Sequence, residues 1–336
     1  MTADTPPHVA AGGPPLVDDR SVPGNPGTLL ARFSDLTAAE PTRLGVVSDL
    51  HLCPEGEGSW KAFHATERRL RAAVEGYNAL DVDGVLFTGD LTRDGRPTEF
   101  ERFDEILADL EAPFAAIPGN HDLPIADRGD GPDLDVPTFA CRYAPSSEFP
   151  FRWDVGGVEI LGLSSHQATP GEPAPSFAGR VSEESLDWLE SELESASHPL
   201  VTVHHDLPGA RARYEQARER LPGWSNPPAF ENVEALVDVL ADSPVEVGPV
   251  LTGHIHAPSV TQHRGVREFN LPALGSFPSA YLVFDLTPEG TSVRMFGPRD
   301  PDRRVDALAL GAENPRPMLA AAQLAGTPLA DDFAGD

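Results

Sequence analysis

Lysine is nearly absent from this chain. Lys61 is the only lysine among 25 basic residues, which face 53 acidic residues and give a formal net charge of −28. Stable non-specific binding to nucleic acid needs basic residues that neutralise phosphates, so we expect no such binding. The same deficit argues against binding to an anionic membrane surface.

The excess of acidic residues has two interpretations. In molar salt the Debye length is only about 3 Å, so a salt-adapted protein tolerates a highly charged surface. Codon bias in a GC-rich genome can also replace lysine with arginine in an ordinary acidic protein. We favour a salt-adapted, halophilic source.

Cysteine is scarce, and long apolar runs are missing. Cys53 and Cys141 form neither a C-x-x-C motif nor a disulfide framework. No apolar run reaches 18 residues, and residues 1–22 lack the features of a signal peptide. We therefore expect a cytoplasmic protein with no membrane partner. For Cys53, two residues after His51, a small buried thiol is favoured over a metal ligand.

Composition divides the chain into three parts. Residues 1–40 are rich in Pro, Gly, Ala and Asp and are expected to form a poorly ordered leader. Residues 301–336 are expected to be a partly disordered tail, with a short helix at residues 318–324. Between them, residues 41–300 alternate short apolar runs with amphipathic stretches, which is typical of a single α/β domain.

Five predicted strands end at residues that commonly bind metals. In chain order, these motifs are Asp49-Leu50-His51, Gly89-Asp90, Gly119-Asn120-His121-Asp122, His204-His205 and Gly253-His254-Ile255-His256. Residues two apart in extended backbone point to the same side, so Asp-x-His and His-x-His each aim two groups at one place. Ligands in α/β sheets bind beyond the carboxyl ends of strands. Carboxylate, amide and imidazole together suit a borderline or hard divalent metal.

These motifs, spread over roughly residues 43–286, resemble the signature of the calcineurin-like metallophosphoesterase superfamily. That signature reads D-x-H, G-D, G-N-H-[DE], H and G-H-x-H. Residues 89–95 and 187–189 look most like the branch that contains cyclic-nucleotide phosphodiesterases and glycerophosphodiesterases. The resemblance implies an αββα four-layer sandwich of two mixed sheets flanked by helices. It also implies a dinuclear metal site at the carboxyl ends of the strands.

The resemblance further implies which residues bind the two ions, which are expected to be Mn, Fe or Zn. The positions that match the family ligands are Asp49, His51 and His256 for the first metal, Asp90 as the bridge, and Asn120, His204 and His254 for the second metal. Two cations about 3.5–4 Å apart need a shared anion, and a carboxylate with two oxygens can supply it.

The fourth motif leaves the ligand open between two adjacent histidines. In the relatives the ligand usually lies two residues before a proline, whereas here Asp206 takes that place and the proline is Pro208. We prefer His204 over His205 because it directly follows the strand. Asp206 is then expected to accept a hydrogen bond from a ligating imidazole.

His121 is predicted to act on the substrate rather than to bind metal. In the family the matching histidine contacts phosphate and assists the leaving group, and Asp122 would orient it. An imidazole changes charge near neutral pH, which suits a general acid.

The function implied is metal-assisted hydrolysis of a small-molecule phosphoester, and a phosphodiester such as a cyclic nucleotide or a glycerophosphodiester is favoured. The alternatives are a phosphomonoesterase, such as a nucleotidase or a protein phosphatase, and a non-catalytic metal-binding scaffold. Residues 123–149 are expected to rim the pocket. Arg93 is expected to be an exposed arginine paired with Asp94, and His166 to be a loop histidine that contacts backbone.

Overall fold

Two mixed β-sheets form the centre of the computed structural model, which describes residues 13–18, 20–125, 134–168, 175–220, 224–298 and 300–334. The strands of the described residues are, in chain order, β1 (Thr28–Phe33), β2 (Thr42–Val47), β3 (Gly84–Phe87), β4 (Phe114–Ala116), β5 (Phe151–Val155), β6 (Val158–Gly162), β7 (Leu200–Thr202), β8 (Val250–Thr252), β9 (Ser259–His263), β10 (Val266–Asn270), β11 (Tyr281–Thr287), β12 (Gly290–Phe296) and β13 (Ala330–Asp331). The α-helices are α1 (Thr66–Leu80), α2 (Pro97–Leu107), α3 (Val136–Tyr143), α4 (Glu183–Leu193), α5 (Pro208–Arg218), α6 (Val233–Ala241), α7 (Pro301–Leu310) and α8 (Pro315–Leu324).

The strand order confirms the predicted sandwich of two mixed sheets. The first sheet has the order β13-β1-β12-β11-β2-β3-β4, and the second has the order β5-β6-β7-β8-β10-β9. In the first sheet β2, β3 and β4 run parallel, and β11 runs antiparallel to β2. In the second sheet β6, β7, β8 and β10 run parallel, with antiparallel strands at both edges.

Three hydrophobic clusters separate the four layers. Side chains of α1, α2 and α3 pack on the first sheet, where Phe103 of α2 meets Phe87 of β3 with ring centroids 5.2 Å apart. The two sheets face each other through a second cluster, in which Phe269 of β10 lies 6.1 Å from Phe284 of β11. Helices α4 and α6 cover the other face of the second sheet. Apolar burial on both faces explains why β2 and β3 read as continuous apolar runs.

Two helices begin in different ways. Ser182 caps α4, and its Oγ accepts a hydrogen bond from Ser185 N at 3.2 Å. Helix α2 begins at Pro97, with Arg96 rather than Thr98 at the N-cap. Proline suits the first helical position because its missing N–H has no partner there anyway.

The chain ends are more ordered than composition indicates. Within the expected leader, residues 28–33 form β1, which pairs with β12 and β13 of the first sheet. Within the expected tail, α7 and α8 are helical, and α8 extends the predicted helix toward its N-terminus. The prediction of disorder is therefore wrong for these segments, whose order comes from contacts with distant parts of the chain. Residues 1–12 lie outside the described residues.

No helix among the described residues is long and apolar enough to cross a membrane.

Candidate metal centre

The predicted ligands meet where strands of both sheets end. Asp49 and Asp90 follow β2 and β3 of the first sheet, and Asn120 follows β4. His204 and His254 follow β7 and β8 of the second sheet. All seven residues predicted to bind metal are buried.

The backbone is not extended at the Asp-x-His motif or at the His-x-His motif. Asp49 and His51 have φ angles of 51° and 48°, and His254 and His256 have φ angles of 65° and 62°. The prediction that these motifs are extended is therefore wrong, although the side chains of Asp49 and His51 do converge on one cluster. Left-handed backbone at non-glycine residues costs energy and concentrates at functional sites.

Two glycines allow the loops to approach each other. Gly89 has a φ of +96°, and a Cβ there would lie 2.5 Å from His204 Nδ1. A Cβ on Gly119 would lie 2.2 Å from Asp90 Oδ1. Any other residue at these positions would push the ligand loops apart.

Four of the predicted ligands form one tight cluster. Asp49, His51, Asp90 and His256 each offer a ligand atom, and these atoms lie within 4.8 Å of one another. His256 Nε2 lies 3.1 Å from Asp49 Oδ1, and His51 Nε2 lies 3.4 Å from Asp90 Oδ2. Two carboxylates and two imidazoles at this spacing fit a divalent cation.

The other three predicted ligands lie next to this cluster, on the side of Asp90 and Asp49. His204 Nε2 lies 3.4 Å from Asp90 Oδ1, so the two carboxylate oxygens of Asp90 face different histidines. His254 Nδ1 lies 2.9 Å from Asn120 Oδ1, and its backbone N donates to Asp49 Oδ1 at 3.1 Å. The His254 and His204 rings are in contact, with centroids 5.6 Å apart.

Hydrogen bonds fix two of the imidazoles. His204 Nδ1 donates to Thr88 O at 2.8 Å, and His256 Nδ1 lies 2.9 Å from Ser276 Oγ. Both rings therefore turn Nε2 toward the site. Among the described residues, His204 Nε2 is buried and has no hydrogen-bond partner. A buried nitrogen without a partner is costly, and a cation bound there would remove that cost.

The buried charges influence one another. Burial raises the pKa of Asp90, but the neighbouring histidines, His204 foremost, outweigh it and hold the pKa well below its usual value. Burial lowers the pKa of His51 and of His254 well below the usual value, which keeps these rings neutral. For His204, the adjacent Asp90 overcomes burial and raises the pKa to about 9. A cation would displace that proton.

His204 and His205 differ in the groups that their ring nitrogens face. Both ring nitrogens of His205 face other groups, because Nδ1 lies 2.7 Å from Ser165 Oγ and Nε2 lies 3.1 Å from Phe177 O. Burial and the nearby His204 lower the pKa of His205 to about 3. Asp206 was expected to accept a hydrogen bond from an imidazole, but it pairs instead with Arg211 at 2.9 Å.

His121 lies beside the cluster, but Asp122 does not orient its ring as expected. His121 N donates to Asp90 Oδ1 at 2.9 Å, and its Nδ1 lies 2.7 Å from Arg93 O. Asp122 accepts four hydrogen bonds from other groups, namely Leu91 N, Thr92 N, Thr92 Oγ1 and Gly119 N. It therefore ties the loop after β3 to the loop after β4.

Sequence reasoning missed two residues at the site. Trp60 lies 5.2 Å from His256 between ring centroids. Lys61 is buried, and its Nζ lies 3.4 Å from His51 Nδ1 and 3.3 Å from His121 Nε2. One feature of the sequence could have indicated Lys61: it is the only lysine of an acidic chain, and it lies ten residues after the Asp-x-His motif.

The structure also describes the surroundings of three residues with lesser predictions. Cys53 is a free, buried thiol. Arg93 pairs with Asp94 at 3.5 Å as expected, but it is half-buried rather than exposed. His166 Nε2 lies 2.8 Å from the backbone oxygen of Pro124, as expected. The expected rim at residues 123–149 contains α3, and residues 126–133 lie outside the described residues.

The fold and the site together define an α/β sandwich with a buried cluster of carboxylates and imidazoles that could hold a divalent metal. Residues 42–258 match the family model described as calcineurin-like phosphoesterase, and the chain belongs to this family. It is accordingly a hydrolase that acts on phosphoester bonds.

Several known proteins are similar to this chain. A probable cyclic nucleotide phosphodiesterase of Synechococcus sp. is 28% identical over 253 residues, which cover 73% of this chain and 88% of the relative. The 3′,5′-cyclic adenosine monophosphate phosphodiesterase of Pseudomonas aeruginosa is 28% identical over 235 residues, covering 68% of this chain and 74% of the relative. A dimetal phosphatase from Danio rerio shares the fold with a TM-score of 0.57 at 16% identity, covering 78% of this chain and 98% of that one.

Proposed function

We propose that this protein is a dinuclear metal-dependent phosphodiesterase with a small substrate such as a cyclic nucleotide or a glycerophosphodiester. The observation that carries the proposal is the position of Asp90. Its Oδ2 lies 3.4 Å from His51 Nε2, and its Oδ1 lies 3.4 Å from His204 Nε2. A carboxylate that faces ligands on two sides is the arrangement that a pair of cations requires.

The remaining ligands divide between the two ions. Asp49, His51 and His256 would hold one ion with Asp90, and Asn120, His204 and His254 would hold the other. When bound, two divalent cations such as Mn, Fe or Zn polarise the phosphoryl group and lower the pKa of water. The neutral amide of Asn120 leaves its ion more electrophilic than a third carboxylate would.

His121 is the proposed proton donor to the leaving group. If its Nδ1 donates to Arg93 O, 2.7 Å away, the ring is fixed with Nε2 on the side of Lys61. From there Nε2 can carry the proton that the departing oxygen needs. Asp122 holds the His121 loop in place through Gly119 N.

The preference for a small diester is supported by the relatives, two of which are named as cyclic nucleotide phosphodiesterases. The net charge of −28 supports a small substrate over a nucleic acid, which would be repelled by the protein surface. The metal ions would make the site itself locally positive.

A substrate panel tests the proposal. The protein is loaded with Mn²⁺, Fe²⁺ or Zn²⁺ and assayed at low and molar salt with bis(p-nitrophenyl) phosphate, p-nitrophenyl phosphate, 3′,5′-cyclic AMP and glycerophosphoethanolamine. We expect turnover of the diesters to exceed that of the monoester. Faster turnover of the monoester would instead identify a phosphomonoesterase. Full metal occupancy without turnover of any compound would identify a non-catalytic scaffold.

A further inference from the structure

The C-terminal helix α8 brings an arginine to the edge of the metal centre. Arg316 lies outside the segment 42–258 that matches the family model. Its guanidinium carbon lies 5.2 Å from the ring centroid of Trp60 and 5.8 Å from that of Tyr214. The Trp60 ring in turn lies 5.2 Å from the ring of His256. Trp60 thus links Arg316 to a predicted metal ligand.

Arg316 has no carboxylate ion-pair partner among the described residues, in contrast to Arg43 and Arg211. Arg43 pairs with Asp285 at 3.0 Å, and Arg211 pairs with Asp206 at 2.9 Å. The guanidinium of Arg316 forms no ion pair in the part of the chain that the structure describes, and its buried Nε has no hydrogen-bond partner there. The chain contains 53 acidic residues, so carboxylates that could pair with Arg316 are plentiful. Leaving the buried Nε of a cation without a hydrogen bond is costly, and an anion bound to the guanidinium would offset that cost.

Arg316 adds a positive charge at this edge of the metal centre, next to Trp60. Lys61 is a second cation on the same tryptophan, with Nζ 5.4 Å from the Trp60 ring centroid. Divalent metals would add more positive charge. This edge of the site therefore favours an anion.

We propose that Arg316 donates hydrogen bonds to a phosphoryl oxygen of the substrate, so that α8 completes a substrate site otherwise built by residues 42–258. This inference rests on the proposed function. A guanidinium offers several N–H donors in a planar fork, which suits the oxygens of a phosphoryl group. The faces of Trp60 and Tyr214 would hold the fork in position through cation–π contacts.

A purely structural role of Arg316 would have different consequences from a role in binding the phosphoryl group. If Arg316 only attaches α8 to Trp60 and Tyr214, its loss would lower the melting temperature and leave phosphate affinity unchanged. If it binds the phosphoryl group, its loss would weaken substrate and phosphate binding in a folded protein. The two roles are thus separable by measuring affinity and stability on the same variant.

The experiment compares Arg316→Gln with the matched control Arg303→Gln, which alters an exposed arginine of α7 paired with Asp300 at 3.5 Å. Three quantities are measured on metal-loaded full-length protein: KM and kcat for bis(p-nitrophenyl) phosphate, and the Kd of inorganic phosphate by calorimetry. For Arg316→Gln we expect KM and the phosphate Kd to rise roughly tenfold or more, as loss of a charged hydrogen bond implies. We expect kcat to change much less, and Arg303→Gln to match the wild type.

Unchanged KM and phosphate Kd in folded Arg316→Gln would overturn the proposal, whether or not its melting temperature falls. If Arg316→Gln does not fold, Arg316→Met replaces it, because methionine keeps most of the apolar stem of the arginine side chain. The same measurements and outcomes then apply to Arg316→Met. If the wild type binds phosphate but hydrolyses none of the substrates, the proposed function fails while the phosphate comparison still decides the role of Arg316. Absence of phosphate binding by the metal-loaded wild type would overturn the role of Arg316 as well.

Discussion

The Nε2 atoms of His51 and His256 lie 3.1 Å apart, although 205 residues separate the two histidines in the chain. Two imidazole nitrogens that face each other at this distance repel unless a proton or a cation lies between them. Burial lowers the pKa of both rings, so both are neutral and at most one N–H proton lies between the two nitrogens. Asp49 and Asp90 lie within 4.8 Å of the same atoms, so a divalent cation is the more favourable solution.

Asp90→Asn should remove most of the bound metal. An amide keeps the shape of the side chain but cannot supply the anionic bridge between His51 and His204. We expect metal content, measured by elemental analysis after gel filtration, to fall to one ion per chain or fewer, with activity reduced at least about a thousandfold. Asp187→Asn, an exposed acidic residue of α4, is the control and should match the wild type. Two ions retained by Asp90→Asn would refute the bridging role.

His204→Gln should weaken metal binding, whereas His205→Gln should not. His204 Nε2 faces Asp90, whereas the ring nitrogens of His205 face Ser165 and Phe177. We therefore expect His204→Gln to lower the occupancy of one metal and His205→Gln to retain both ions with lower thermal stability. Competition with a fluorescent chelator measures the two affinities. The assignment is wrong if His205→Gln is the variant that loses metal.

His121→Asn and Asp122→Asn should separate catalysis from stability. His121→Asn should bind metal normally and turn over about a hundredfold or more slowly, as loss of a general acid implies. Asp122→Asn presents an amide N–H₂ to groups that donate to the carboxylate, and should cost about 2–4 kcal/mol of unfolding free energy. Urea denaturation and steady-state kinetics on both variants test this. An Asp122→Asn variant of normal stability with a large loss of kcat would show that Asp122 acts through His121 after all.

His166 should make the protein less stable in acid. Burial lowers its pKa below the usual 6.5, and its Nδ1 has no hydrogen-bond partner among the described residues. The unfolded chain therefore takes up a proton near pH 6.5 that the folded protein refuses, so stability is complete above that pH and declines below it.

His166→Gln removes that titration while leaving a donor for Pro124 O. The difference in unfolding free energy between pH 7.5 and pH 5.5 should be smaller than in the wild type. The exposed His64→Gln is the control and should keep the wild-type difference. Equal pH dependence in wild type and His166→Gln would contradict the prediction.

The sequence was sufficient to predict that the proposed ligands lie close together, because each of their motifs follows a short apolar run. Apolar runs such as residues 44–48 become buried parallel strands, and parallel strands bring their carboxyl ends to one edge of a sheet. Alternating strands and helices also predicted the α/β class. The two-sheet sandwich came from resemblance alone, because local periodicity does not specify how strands are shared between sheets.

Long-range contacts explain what sequence reasoning could not provide. Thr28 of β1 pairs with Met295 of β12, and nothing in the proline- and glycine-rich leader indicates that partner. Arg316 reaches the site from the far end of the chain for the same reason. The left-handed backbone of Asp49 and His51 is a local feature, but it is imposed by hydrogen bonds such as His51 N to Asp90 O at 2.9 Å.

The most direct test of the dinuclear phosphodiesterase is a titration of metal-free protein with Mn²⁺, in which bound ions and hydrolysis of bis(p-nitrophenyl) phosphate are measured on the same samples. We predict no hydrolysis without metal, and activity that reaches its maximum as occupancy reaches two ions per chain. Hydrolysis that persists after exhaustive metal removal, or that is complete at one ion per chain, would contradict the account.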